Sequence, residues 1–220
     1  MGPPPGRRLP CAGAPLADAP SFPSSQAAAL RAIERKGAAV TMGAGPGSVR
    51  TVQRVVFLDF DGVLNSRGFF DGMGLDERSV DDLRRRLDPL LVARVQRLCA
   101  MSGACVVVSS SWRLRCKLPR LKRALAERGL EARVVGTTPC VPGAARGAEV
   151  ARWLERHPVD GIVVLDDEED MEGLSPWLVR TRFLTGITDD DVRLAAEVLR
   201  RPAPGRTEGD DERRVLSTRA

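Results

Sequence analysis

The chain has 220 residues, 43% of them hydrophobic and 29% charged, with a formal net charge of +5; that length suits one well-cored domain rather than two. Residues 50–202 hold 25 basic and 23 acidic side chains, a balance of +2 that does not indicate a strong nucleic-acid field. No apolar run reaches the roughly 18 residues of a membrane span, and no apolar stretch follows Arg7 and Arg8 to make a secretory signal.

Residues 1–49 are rich in Ala, Pro, Gly and Ser and carry too little apolar surface to offset their ordering entropy. They read as a disordered leader in which 26–36 is at most a short helix, and Met42 offers an alternative start. The fold is expected over 50–202, followed by a disordered tail at 203–220. The run 52–59 is apolar, Val-rich and ends in acids, as a strand buried on both faces does. Asp88 and Pro89 read as N-cap and first-turn residues of a helix carrying Leu91, Val95 and Leu98, with Gly103 as its stop. Residues 104–108 give a second strand, 119–128 a helix ended by Gly129, and 132–135 a third strand. A helix over 147–155 leads into a strand over 161–165, and a short fifth strand is expected at 180–184. Thr188 and Asp191 form a capping box for the last helix. The alternation predicts an α/β domain of three layers, Rossmann-like, with a central parallel sheet.

In such sheets ligands collect at the carboxyl ends of the strands, and three predicted strands end in reactive residues. These are Asp59-Phe60-Asp61-Gly62, Ser109-Ser110-Ser111 and Asp166-Asp167. Two carboxylates at one strand end repel unless a cation relieves them. A purely oxygen donor set suits magnesium. The five cysteines have no CxxC spacing, so zinc is not expected. Cys99 and Cys105 read as small buried hydrophobes, and a reducing cytoplasm is the expected compartment.

The run 55–65 resembles the first motif of haloacid dehalogenase-like (HAD) phosphohydrolases, an apolar strand followed by DxDG. Val106-Val107-Val108-Ser109 matches the second motif, Arg146 the third, and Val163-Val164-Leu165-Asp166-Asp167 the fourth. The SSSWR, RGAEVARWL and LDDEED segments are similar to a small bacterial and phage HAD subgroup whose relatives occur beside RNA-repair modules. The resemblance covers about residues 52–200. It implies a phosphomonoesterase in which Asp59 is the nucleophile and Asp61 the acid/base. Magnesium would be held by the Asp59 carboxylate, the Asp61 backbone carbonyl, Asp166 and Asp167. Ser109, Arg146 and Gly62 would serve the phosphoryl group. The substrate is a phosphorylated molecule whose identity the motifs leave open.

Alternatives accompany the softer assignments. Ser110 and Ser111 compete with Ser109, and Arg113 and Lys117 with Arg146. Arg113 is also a candidate substrate binder. Trp112 reads as a core plug ahead of a stacking platform, Asn65 as an orienter of the first loop or a turn cap, Asp170 as an outer partner of the metal or part of a solvated acidic loop, and His157 as a surface residue. The loop at 66–85, with Phe69, Phe70, Met73 and Leu75, offers a minimal cap that either lids the site or pads the sheet edge. A non-catalytic phosphate- or metal-binding module and a nucleic-acid end-processing phosphatase are the competing functions. A receiver-like domain needs an acid after the third strand, and Gly136-Thr137-Thr138 supplies none.

Overall fold

A computed structural model describes residues 53–74 and 82–205; the expected leader, the tail and Leu75 lie outside them wholly or in large part. Five strands form one sheet: β1 (Arg54–Leu58), β2 (Cys105–Val108), β3 (Val134–Thr137), β4 (Gly161–Asp166) and β5 (Leu178–Arg180). The order is β3-β2-β1-β4-β5 and every pairing is parallel. The helices are α1 (Arg67–Gly72), α2 (Leu83–Arg86), α3 (Pro89–Ser102), α4 (Leu118–Ala126), α5 (Arg146–Leu154) and α6 (Asp189–Val198). No helix is long and apolar enough to cross a membrane among the described residues.

The sheet is buried on both faces, and its side chains divide between them with period two. Val56, Leu58, Val106, Val108, Val163 and Leu165 pack against α3, α4 and α6. Val55, Phe57, Val107, Ile162 and Val164 face Val150 and Trp153 of α5. The result is the three-layer architecture expected from the alternating pattern. Burying a side chain as large as Phe57, which meets Trp153 edge-on at 5.3 Å, is worth about 1.5–3 kcal/mol.

Helix termini follow local chemistry. The Asp88 carboxylate accepts from the Leu90 N–H at 2.8 Å, and Gly103 closes α3 in the left-handed region. Thr188 and Asp191 form the reciprocal capping box of α6. Two strands are displaced from their sequence positions. The third runs Val134–Thr137 rather than 132–135, because the Glu131 and Ala132 amides turn away to Gln96 Oε1. The fifth occupies Leu178–Arg180 rather than 180–184. Beyond it Arg182 and Gly186 close a tight turn that the alternation of apolar residues did not signal.

Candidate active site

Strand register builds the site. Leu58 lies opposite Val108 on one side and Leu165 on the other, so Asp59, Ser109 and Asp166 are the next residues on three adjacent strands. The Asp59 N–H donates to the Leu165 carbonyl at 3.0 Å, and the Ser109 N–H to the Leu58 carbonyl at 2.9 Å. By alternation all three share the α5 face with Phe57, Val107 and Val164. β1 and β4 also flank the point where the strand order reverses, where crevices open in parallel sheets.

Carboxylate oxygens of Asp59, Asp166 and Asp167 lie within 4.8 Å of one another. Burial, then the charge of Asp166, pushes the Asp59 carboxyl up to about 7. Burial also lifts Asp166 and Asp167, each to about 6. Arg146, the first residue of α5, is buried against this cluster. Its Nε–H donates to Asp166 Oδ2 at 3.1 Å, its Nη1 to the Ser109 carbonyl, and its Nη2 is 3.6 Å from Asp59 Oδ1. Three ionised carboxylates against one guanidinium leave two negative charges, which a divalent cation would neutralise. The oxygen-only donors, and a buried Asp59 Oδ1 with no hydrogen-bond partner, fit a hard cation such as magnesium.

The loop after β1 is tightly held. Gly62, at φ +77°, donates its N–H to Asn65 Oδ1 at 3.0 Å, and its carbonyl accepts from Thr181 Oγ1 at 2.8 Å. A Cβ on Gly62 would stand 2.4 Å from the Asp167 carboxylate. The glycine therefore lets the acids of β1 and β4 meet, and its amide is already engaged. Asn65 does orient the first loop, since its Nδ2 also donates to Asp61 Oδ1 at 2.8 Å.

The chain between residues 55 and 192 matches the model of the "HAD domain in Swiss Army Knife RNA repair proteins". It belongs to that family. A comparison with curated proteins finds no match.

Members of the HAD family are generally hydrolases, and this HAD domain brings together every strand-end acid that its sequence singled out except the Asp61 carboxylate. That group lies outside the metal-ready cluster. Instead it accepts from Trp112 Nε1 at 3.0 Å, through Oδ2, and from Arg86 Nη2 at 3.4 Å, through Oδ1. Trp112 is buried, but its indole N–H faces the site, so it is more than a core plug. Arg86 was not foreseen, because one arginine in an Arg-Arg-Arg run carries no sequence signal of its own.

Among the serines, the Ser109 hydroxyl is buried without a hydrogen-bond partner. That of Ser110 accepts from the Trp112 N–H at 3.4 Å and tempers the rise of the Asp59 carboxyl. Arg113 is not placed to bind a substrate. It pairs with buried Glu149 and donates to the carbonyls of Ser109, Ser110, Thr138 and Pro139. Asp170 takes up the start of α5: its carboxylate accepts from the Arg146 N–H at 3.0 Å, and its carbonyl from the Gly147 N–H at 3.1 Å. It supports Arg146 from the backbone side. His157 is exposed, as expected, and stacks on Trp153 at 4.1 Å.

Residues 66–85 are not simply a loop. Ser66 caps α1, and Phe70 of that helix is buried with the Arg86 guanidinium 5.4 Å from its ring. Phe70 is thus a packed wall rather than a lid, while Met73 stays exposed.

Proposed function

We propose that this HAD domain is a magnesium-dependent phosphomonoesterase that works through an aspartyl-phosphate on Asp59. The observation that carries the reading is the convergence of the Asp59, Asp166 and Asp167 carboxylates beside buried Arg146, at the mouth of β1 and β4. Magnesium, held by Asp59, Asp166, Asp167 and the Asp61 carbonyl, would offset the repulsion between these acids and the phosphate. The Asp59 carboxylate attacks phosphorus as the P–O bond to the leaving group breaks, splitting one hard step into two. Asp61 delivers a proton to the departing oxygen. It then takes one from the water that attacks the aspartyl-phosphate, releasing inorganic phosphate and restoring Asp59. Arg146 and the Ser109 hydroxyl hold the phosphoryl oxygens as their charge shifts.

The test is phosphate release from p-nitrophenyl phosphate and a panel of phosphorylated metabolites, with and without Mg²⁺, beside Asp59→Asn. Release that needs Mg²⁺ and is abolished by the substitution supports the reading; release that survives Asp59→Asn removes the nucleophile. Mg²⁺ binding with no release on any substrate favours a phosphate- or metal-binding module.

A second reading, a phosphatase acting on RNA ends, draws on the family's description and on one surface feature. A groove between β3 and the C-terminal end of α5 is lined by Arg133, Arg152 and Arg156, and by Thr138 and Pro139, whose carbonyls Arg113 anchors. Its basic lining suits a polyanion. Activity on phosphorylated oligonucleotides that falls steeply with salt, and drops further in Arg133→Glu/Arg156→Glu, supports this reading.

A further inference from the structure

Three donors from separate parts of the chain converge on the Asp61 carboxylate. Asn65 Nδ2 and Arg86 Nη2 reach Oδ1, at 2.8 and 3.4 Å, and Trp112 Nε1 reaches Oδ2 at 3.0 Å. Asn65 belongs to the same loop as Asp61, so its contact is local. The other two are not. Arg86 is the last residue of α2, and Trp112 lies in the 3-10 turn Ser111–Leu114 after β2.

Arg86 is itself fixed. Its side chain is 9% exposed, and its guanidinium carbon sits 5.4 Å from the Phe70 ring centroid and 5.1 Å from that of Trp112. Rings at that distance hold a cation by its charge as well as by packing. Asp61, by contrast, is 34% exposed. A carboxylate one-third exposed is held only in part by packing, so hydrogen bonds fix its rotamer. Two donors on Oδ1 and one on Oδ2 fix both the position and the plane of the group.

We propose that Trp112 and Arg86 are positioning residues that hold the Asp61 carboxyl where it meets the leaving-group oxygen, with Phe70 bracing Arg86. The proposal rests on the phosphatase reading given above. In the first step the proton moves from Asp61 to the leaving oxygen while the phosphoryl group passes to Asp59. Misplacing the acid slows that transfer, and the loss grows with the basicity of the leaving group. A nitrophenolate departs with little help, whereas an alkoxide needs its proton.

The experiment compares kcat/KM, which reports the first step, for p-nitrophenyl phosphate and glycerol 2-phosphate. In Trp112→Phe, which keeps an aromatic ring and removes the donor, kcat/KM should fall about 30-fold on the alkyl ester and about 3-fold on the aryl ester. Arg86→Met, which keeps the stem between the rings, should show the same split. An equal fall on both esters in both variants indicates a structural role only and overturns the proposal, as does no fall on either. A second readout needs no turnover. The Trp112 indole N–H resonance, assigned with Trp112→Phe, should lose its downfield position and its protection from exchange in Asp61→Ala. An unmoved resonance overturns the proposal even if no substrate is found. Full turnover in Asp59→Asn would instead sink the phosphatase reading, leaving the indole measurement to decide the contact with Asp61.

Discussion

Arg146 donates its Nε–H to Asp166 Oδ2 across 3.1 Å, and the Asp166 side chain is wholly buried. One of the three clustered carboxylates that could hold a metal therefore already leans on a cation. That partner alone does not balance Asp59 and Asp167, and the consequence is a pH-dependent stability.

Without metal, Asp59, Asp166 and Asp167 titrate near 7, 6 and 6 in the folded protein, against about 3.9 in the unfolded chain. Between roughly pH 4 and 7 the native state binds more protons, so stability falls as pH rises. Below pH 4 both states are protonated and the penalty vanishes; above pH 7 both are ionised and it is complete. In EDTA the Tm should be about 5 °C higher at pH 5 than at pH 7.5. Millimolar Mg²⁺ should raise the Tm at pH 7.5 most and flatten the trend. A Tm in EDTA that climbs with pH across this window contradicts the account.

Glu149 and Arg113 form an ion pair with side chains 8% and 5% exposed. Glu149→Gln leaves the Arg113 guanidinium buried without its counter-charge, a change that costs about 3–5 kcal/mol. Urea denaturation should record that loss. Arg113 also ties the Ser109, Ser110 and Thr138 carbonyls together, so Mg²⁺-dependent turnover should fall with it. A loss under 1 kcal/mol would show that water replaces the pair.

Gly62→Ala tests the approach of the two acidic loops. The new methyl would meet the Asp167 carboxylate at 2.4 Å, at a φ of +77° that side chains rarely adopt. Mg²⁺ affinity by isothermal titration should fall at least about ten-fold while far-UV circular dichroism keeps its helical signal, because the change forces Asp167 aside. Unchanged affinity would exclude Asp167 from the metal's ligands.

Cys99 is buried, and desolvation pushes its thiol up to about 12. Because the thiolate is the reactive form, iodoacetamide at pH 8 should leave Cys99 unmodified in the native protein and label it fully in urea. Peptide mass spectrometry reads both states. Rapid native labelling would mean that α3 opens locally.

By itself the sequence determined the parallel α/β order, the caps at Asp88 and Thr188, and the strand-end acids Asp59, Asp166 and Asp167. Each is a local matter: an apolar run, a capping residue, an acid beside a strand terminus. It also marked Arg146, through its place at the start of a helix. Tertiary structure alone decided the rest. Register between β1, β2 and β4 put Ser109 on the face of Arg146, which no periodicity within one strand can settle. The Asp61 carboxylate, for which the sequence offered an acid/base role but no partners, is drawn to Trp112 and Arg86, 51 and 25 residues further along the chain. Arg113 was turned from substrate binder to internal strut by Glu149 on a different helix. Contacts over such separations depend on how helices pack on the sheet, and the chain carries no local mark of them.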